Sequence, residues 1–212
     1  MSLTPVKTPV LLKKMFPNYI WDISTESNDI YITFDDGPTP DVTDQVLDEL
    51  KKFDAKATFF VVGENAKKYP KLLKRIEVEG HVLGNHTNNH IKGWKTKTKN
   101  YLNNVEKASK IIDSNLFRPP YGQLKPKQGK KLIVEGYKII MWNVLSLDWD
   151  NAISKEACLN NVISKTTKGS IIVFHDSIKA SKNMLFALPK ALEYFSKLGY
   201  NFKAINIKRT AV

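Results

Sequence analysis

The chain has 212 residues, 42% hydrophobic and 25% charged, proportions that suit a globular domain with one sizeable core. Its net charge of +12 invites a nucleic-acid reading. Only Arg75, Arg118 and Arg209 among the 33 basic residues are arginine, however, and the lysines are spread along the chain, which argues against nucleic-acid binding. No run of about 18 apolar residues is present to span a membrane, and the stretch MSLTPVKTPVLLKKMF lacks the apolar core of a signal peptide, which leaves the compartment open. The single cysteine, Cys158, excludes an internal disulfide and reads as a small core residue between Ala157 and Leu159.

Residues 1–28 read as an extension packed on a domain that fills 29–212. The run IYITF (30–34) is a strand, and TPDVTDQVLDELKKF then starts a helix with Thr39 as cap and Pro40 in the first turn. Val42, Val46, Leu47 and Leu50 give that helix one apolar face. ATFFVV (57–62) is a second strand, YPKLLKRIEVEG a helix stopped by Gly80, and HVLGNH (81–86) a third strand. The helical stretch NYLNNVEKASKIIDS leads to the strand LFRPP (116–120), and KPKQGKKLIVEG leads to KIIMWNVLS (138–146). GSIIVFH (169–175), the helix KNMLFALPKALEYFSKLG and the strand NFKAINI (201–207) complete the chain. Strands alternating with helices predict parallel βα units, barrel-like or doubly wound. In both, active residues gather at the carboxyl ends of strands.

The residues able to do chemistry fall at those ends. Asp35 and Asp36 follow IYITF, and His86 follows HVLGN with His90 four residues on. Arg118 and Tyr121 follow LF, Asp148 follows KIIMWNVLSL, and His175 ends SIIVF. On a helical turn, His86 and His90 of HTNNH share a face and can reach one ion. The same pair also reads as two satisfied surface histidines. With a carboxylate from another strand end they form an open metal shell. Of Asp35 and Asp36, one can bind the ion while the other acts as base. Equally, Asp35-Asp36-Gly37-Pro38 reads as a turn with helix-capping acids. RPPYG stiffens the backbone, as an oxyanion-donating N–H requires. The polar pair His175-Asp176 capping so apolar a strand is costly unless solvated or used.

The motifs TFDDGPT, HTNNH, RPPYG, SLDW and IIVFH, in this order, resemble those of the polysaccharide deacetylases of carbohydrate esterase family four, from about Asp29 to the last strand. The resemblance implies an α/β fold, a distorted (β/α) barrel of about seven parallel strands. It implies a hydrolase that removes acetyl groups from an N-acetylated, GlcNAc-containing glycan such as chitin or peptidoglycan, with O-acetyl xylan esterase activity as the alternative. It further implies one divalent ion, zinc before cobalt, nickel or manganese, held by Asp36, His86 and His90. Asp35 would be the general base, oriented by Arg118. The Tyr121 N–H would hold the oxyanion, and His175 would be the general acid, tuned by Asp148 beside Trp149. Two positions depart from the family pattern. Leu145 stands where many members carry an acid three residues before the Asp-Trp pair, which leaves open the partner of His175, and Val173 replaces a usual leucine. Trp94, Trp142 and Trp149 are candidates to stack on sugar rings. Two rival readings are an Fe(II) oxygenase, since two histidines and a carboxylate also make a facial triad, and a catalytically inactive glycan-binding relative.

Overall fold

The structure, a computed structural model, describes residues 4–207. Strands form at Asp29–Asp35 (β1), Thr58–Val61 (β2), Val82–Asn85 (β3), Leu116–Phe117 (β4), Lys138–Ile139 (β5), Val144–Leu145 (β6), Ile171–His175 (β7) and Asn201–Phe202 (β8). Helices form at Val10–Met15 (α1), Val42–Lys52 (α2), Gly63–Lys68 (α3), Pro70–Val78 (α4), Thr98–Ser109 (α5), Pro126–Val134 (α6), Lys155–Ile163 (α7) and Ile178–Lys197 (α8). The sheet runs β5-β4-β3-β2-β1-β7-β6, with β8 paired to the start of β1, and every pair of these strands is parallel. It curls into a half-barrel, one of the two architectures that the alternating pattern leaves open and the one that the family resemblance implies. Among the described residues, no helix is long and apolar enough to cross a membrane.

Strand alternation decides what each face carries. Ile30, Ile32 and Phe34 of β1 turn outward into a core shared with Val46, Leu47 and Leu50 of α2 and Leu188, Leu192 and Phe195 of α8. The Phe34 ring stacks on Phe59 and Phe174 from the flanking strands, at 4.9 and 6.1 Å. Tyr31 turns the other way, to meet Phe60, Leu116, Ile140 and Ile171 inside the curl. Thr33 and Asp35 share that inner face, so β1 delivers a carboxylate to the top of the concave side.

The run 138–146 is not one strand. It gives β5 and β6, which lie at opposite edges of the sheet. Between them the carbonyls of Ile140 and Met141 accept from the Arg118 side chain, which takes them out of any ladder. The N-terminal segment lies across this seam. Ile20 bridges Ile140, Lys7 bridges Val144 and Asp22 bridges Ser170. The run 116–120 is a strand only to Phe117, because Pro119 and Pro120 have no N–H to pair. NFKAINI is a strand only over Asn201–Phe202. Helix α2 starts at Val42, two residues after Pro40. Thr39 donates its N–H to Thr43 Oγ1 at 2.7 Å, and Asp41 donates its N–H to Asp44 Oδ2 at 3.3 Å.

Helices α1, α3 and α7 carry weak periodic signals. Helix α1 buries nothing, α3 buries only Gly63 and Ala66, and α7 only Cys158 and Val162. Cys158 is buried, as a core residue should be, and burial pushes its thiol pKa up.

Candidate active site

Strands β1 and β7 end level with each other, Asp35 paired with His175 across the ladder. Asp35 is 4% exposed and bonds Arg118 Nη1 at 2.7 Å. Arg118 has no exposed surface, yet its guanidinium is fully engaged. Nη1 also donates to Thr33 Oγ1 at 2.7 Å, Nε to Ile140 O at 3.2 Å and Nη2 to Met141 O at 2.9 Å. Its plane lies 4.0 Å from the centre of the Phe60 ring. A buried cation is tolerable only with such a complete set of partners. The result is a carboxylate fixed in orientation.

Asp36 follows with a left-handed φ of 82°. Its Oδ1 lies 3.1 Å from His90 Nε2 and 3.8 Å from His86 Nε2, and the three ligand atoms lie within 4.8 Å of one another. The HTNNH stretch is not a helical turn. Thr87 and His90 have φ of 64° and 52°. The loop's backbone N–H groups are satisfied by side-chain oxygens instead: Asn85 Oδ1 accepts from Thr87, and Asn104 Oδ1 from Asn88 and Asn89. The two imidazoles still converge, with ring centres 5.0 Å apart.

Two observations fit this cluster to a cation. Asp36 Oδ1 is buried without a hydrogen-bond partner. His86 Nδ1 faces the Arg118 carbonyl at 2.8 Å, so it carries the proton and Nε2 keeps its lone pair. Burial lowers the His86 pKa to about 4, leaving the ring neutral as a ligand must be. Burial works to raise the Asp36 pKa, but the His90 imidazole 3.1 Å away and the His175 charge outweigh it and hold the carboxyl below its usual range.

His175 bonds Asp148 twice. Its Nδ1 meets Oδ1 at 2.8 Å and its backbone N–H donates to Oδ2 at 2.7 Å. Asp148 therefore supplies the acidic partner left open at position 145, and Leu145 is simply a buried wall of the cleft. Burial alone would lower the His175 pKa. The Asp148 charge and hydrogen bond, helped by Asp36 and Asp35, instead raise it to about 9. The Trp149 ring meets His175 edge-on at 4.7 Å.

Tyr121 sits in a single 3-10 turn, Pro120–Gly122, with φ of 59°. Its ring covers His90 at 4.6 Å. Gly122 (φ 65°) must be glycine, since a Cβ there would come 2.7 Å from the Trp142 ring. A cleft of about 590 Å³ joins Asp35, Asp36, His86, His90, Tyr121 and His175. Trp142 and Trp149 line it, whereas Trp94 does not and stands 62% exposed in a separate turn. Arg118 lies beneath the cleft and Asp148 behind His175.

One buried acid has no role in the sequence reading beyond its place in the His175-Asp176 pair. Asp176 accepts from Gly37 N–H at 3.0 Å and from Thr43 Oγ1 at 2.6 Å, tying the turn after Asp36 to β7 and α2. Burial pushes its pKa up to about 7.

The curled parallel sheet with an Asp-His-His cluster, a carboxylate and an imidazole at its strand ends fits a metal-assisted hydrolase. Residues 22–139 match the sequence model of the polysaccharide deacetylases, and the chain belongs to that family, whose members are metal-dependent. A peptidoglycan-N-acetylglucosamine deacetylase of Bacillus cereus is 33% identical over 206 residues, covering 93% of this chain and 96% of that protein. A second of that name from the same organism is 38% identical over 155 residues. That match takes in 70% of this chain but only 56% of the relative's length. Peptidoglycan-N-acetylmuramic acid deacetylase PdaA of Bacillus subtilis is 34% identical over 86% of this chain. A crystal structure of a peptidoglycan N-acetylglucosamine deacetylase bound to a naphthyl N-hydroxybenzamide superposes with a TM-score of 0.86 at 32% identity, covering 93% of this chain and 95% of that one.

Proposed function

We propose that the protein is a zinc-dependent N-deacetylase acting on the N-acetylglucosamine residues of peptidoglycan. The observation that carries this reading is the meeting, in one cleft, of an Asp36–His86–His90 cluster with two differently equipped groups. These are an Arg118-held carboxylate, Asp35, and an Asp148-held imidazole, His175. The names of the relatives supply the choice of glycan. Two imidazoles and one carboxylate with room for further ligands suit zinc.

Asp36, His86 and His90 would hold the ion, which would supply Lewis-acid polarisation of the acetyl carbonyl and a more acidic water. Asp35 takes a proton from the attacking water as the water oxygen bonds to the carbonyl carbon. Arg118 keeps the accepting carboxylate aimed. The Tyr121 N–H, on a backbone stiffened by Pro119 and Pro120, donates to the carbonyl oxygen as negative charge develops. An amide nitrogen leaves only when protonated. His175, charged at neutral pH, gives its proton to nitrogen as the C–N bond breaks, releasing acetate and a free amine. Asp148 fixes the ring by its Nδ1 proton and steadies the imidazolium.

The test is acetate release by metal-stripped protein resupplied with zinc, cobalt, nickel or manganese. The substrates are peptidoglycan, chitin oligomers and acetylated xylan. Release from peptidoglycan only after a divalent ion is restored is expected. Full activity in protein shown metal-free by elemental analysis, or release from xylan alone, overturns the reading.

A further inference from the structure

Both halves of the Asp36–His86–His90 cluster hang on Val62 and the first turn of α3. The first N–H groups of a helix have no partner within it. Here the ligand loops take them. Gly63 donates to Thr87 O and Glu64 to Asn88 O, each at 3.0 Å, inside the His86–His90 loop. On the other flank Val62 donates to Gly37 O at 3.0 Å, and Asn65 Nδ2 donates to Asp36 O at 2.8 Å. No side chain fits at Gly63, because a Cβ would lie 2.9 Å from Asn88 Oδ1 and 3.1 Å from the Ala108 Cα. The turn Val62–Asn65 is thus a strut between two loops that lie far apart in sequence.

Both loops need holding. Asp36, Thr87 and His90 all have left-handed φ, a conformation that non-glycine residues keep only when their surroundings impose it. Three of the four strut contacts are backbone, and Asn65 supplies the side-chain one. We propose that Asn65 is a positioning residue for Asp36 in the metal site proposed above, on which this assignment rests. Its carboxamide holds the Asp36 carbonyl, and so fixes the backbone twist that turns the carboxylate toward His86 and His90.

The experiment measures zinc and cobalt affinity by competition with a chromophoric chelator, together with the visible spectrum of the cobalt-loaded protein. The proteins are wild type, Asn65→Ala, Asn65→Asp and Asn201→Ala. Alanine suits the helical position of residue 65, so α3 persists. Aspartate sets an oxygen against the Asp36 carbonyl. The Asn201 side chain bonds Asp29 at the far end of β1 and serves as the control. Asn65→Ala should bind the ion about two- to twelve-fold more weakly, the equivalent of one net hydrogen bond. Asn65→Asp should lose more, both with altered cobalt spectra, while Asn201→Ala keeps the wild-type constant. Wild-type affinity and spectrum in both Asn65 variants, or an equal loss in Asn201→Ala, overturns the role of Asn65. A wild-type protein that binds neither ion is a different result, which removes the metal site itself and this role with it.

Discussion

Replacing Asp148 by asparagine tests the origin of the acid. The variant keeps the shape, and its carboxamide oxygen can still accept the His175 N–H, but the charge is gone. In the wild type the ring titrates at about 9 against an ordinary 6.5, a preference for the charged form of about 3 kcal/mol. Without the Asp148 charge, burial acts against only Asp36 and Asp35, and the ring should return to 6.5 or below. At pH 8 a group of pKa about 9 is about 90% protonated and one near 6.5 about 3%, so turnover should fall about thirty-fold. At pH 6 the same comparison gives a factor under about two. The assay is acetate release across pH 5.5 to 9.5 with metal saturating. The raised pKa also has a signature in stability. The imidazolium contributes fully below pH 6.5 and its contribution is lost as pH rises through about 9. Thermal unfolding of the wild type should decline across that window, and Asp148→Asn should flatten the decline. A variant whose alkaline limb stays in place, however slow it is overall, refutes the reasoning.

Asp36→Asn, His86→Ala and His90→Ala should each lose the bound ion, whereas Asp35→Asn should keep it and lose roughly 10²–10⁴ in turnover. Elemental analysis beside initial rates reads the difference, and identical metal content in the two Asp variants would contradict the division of labour. Arg118→Met strips the partners from Asp35, Thr33 Oγ1 and two carbonyls, and should cost roughly 3–5 kcal/mol in denaturant unfolding. A loss under about 1 kcal/mol would mean that water repairs the site.

The strand ends were legible because β-branched and aromatic runs stop at recognisable turns. Asp35, His86, Arg118 and His175 were therefore predictable as neighbours in space. The shape of the HTNNH loop was not. Its spacing suits a helix, but Thr87 and His90 take left-handed φ and the loop's N–H groups are held by the side chains of Asn85 and Asn104, the latter acting from α5, beyond the reach of local pattern. The strand break after Ile139 was hidden for a similar reason, since the carbonyls of Ile140 and Met141 answer to Arg118, a residue just past the end of β4. Asp148 was legible as a strand-end acid, and its tuning of His175 only through the family resemblance. Its two bonds to His175 depend on β6 and β7 lying side by side. The bonds of Asn65 and Asp176 to the Asp36 turn leave no trace in periodicity, because each is one side chain meeting one distant backbone group.

The place of β1 in the sheet bears on how the protein is made. β1 emerges first from the ribosome, yet its neighbours are β2, made next, and β7 and β8, made last. The bond from Thr33 Oγ1 to Ile172 O closes a loop of 139 residues. Asp36, His86 and His90 all lie in the first 90 residues, on strands that neighbour one another in the sheet, whereas the Asp148–His175 couple waits for the C-terminal third. During synthesis one side of β1 is a bare edge, and a nascent chain stalled before Ile171 presents it to any other unpaired strand. The ligand residues, with the Asn104 side chain and Arg118 carbonyl that hold the histidines, are thus synthesised before the acid couple, but the Asp36 turn gains its Asp176 partner only when β7 is complete.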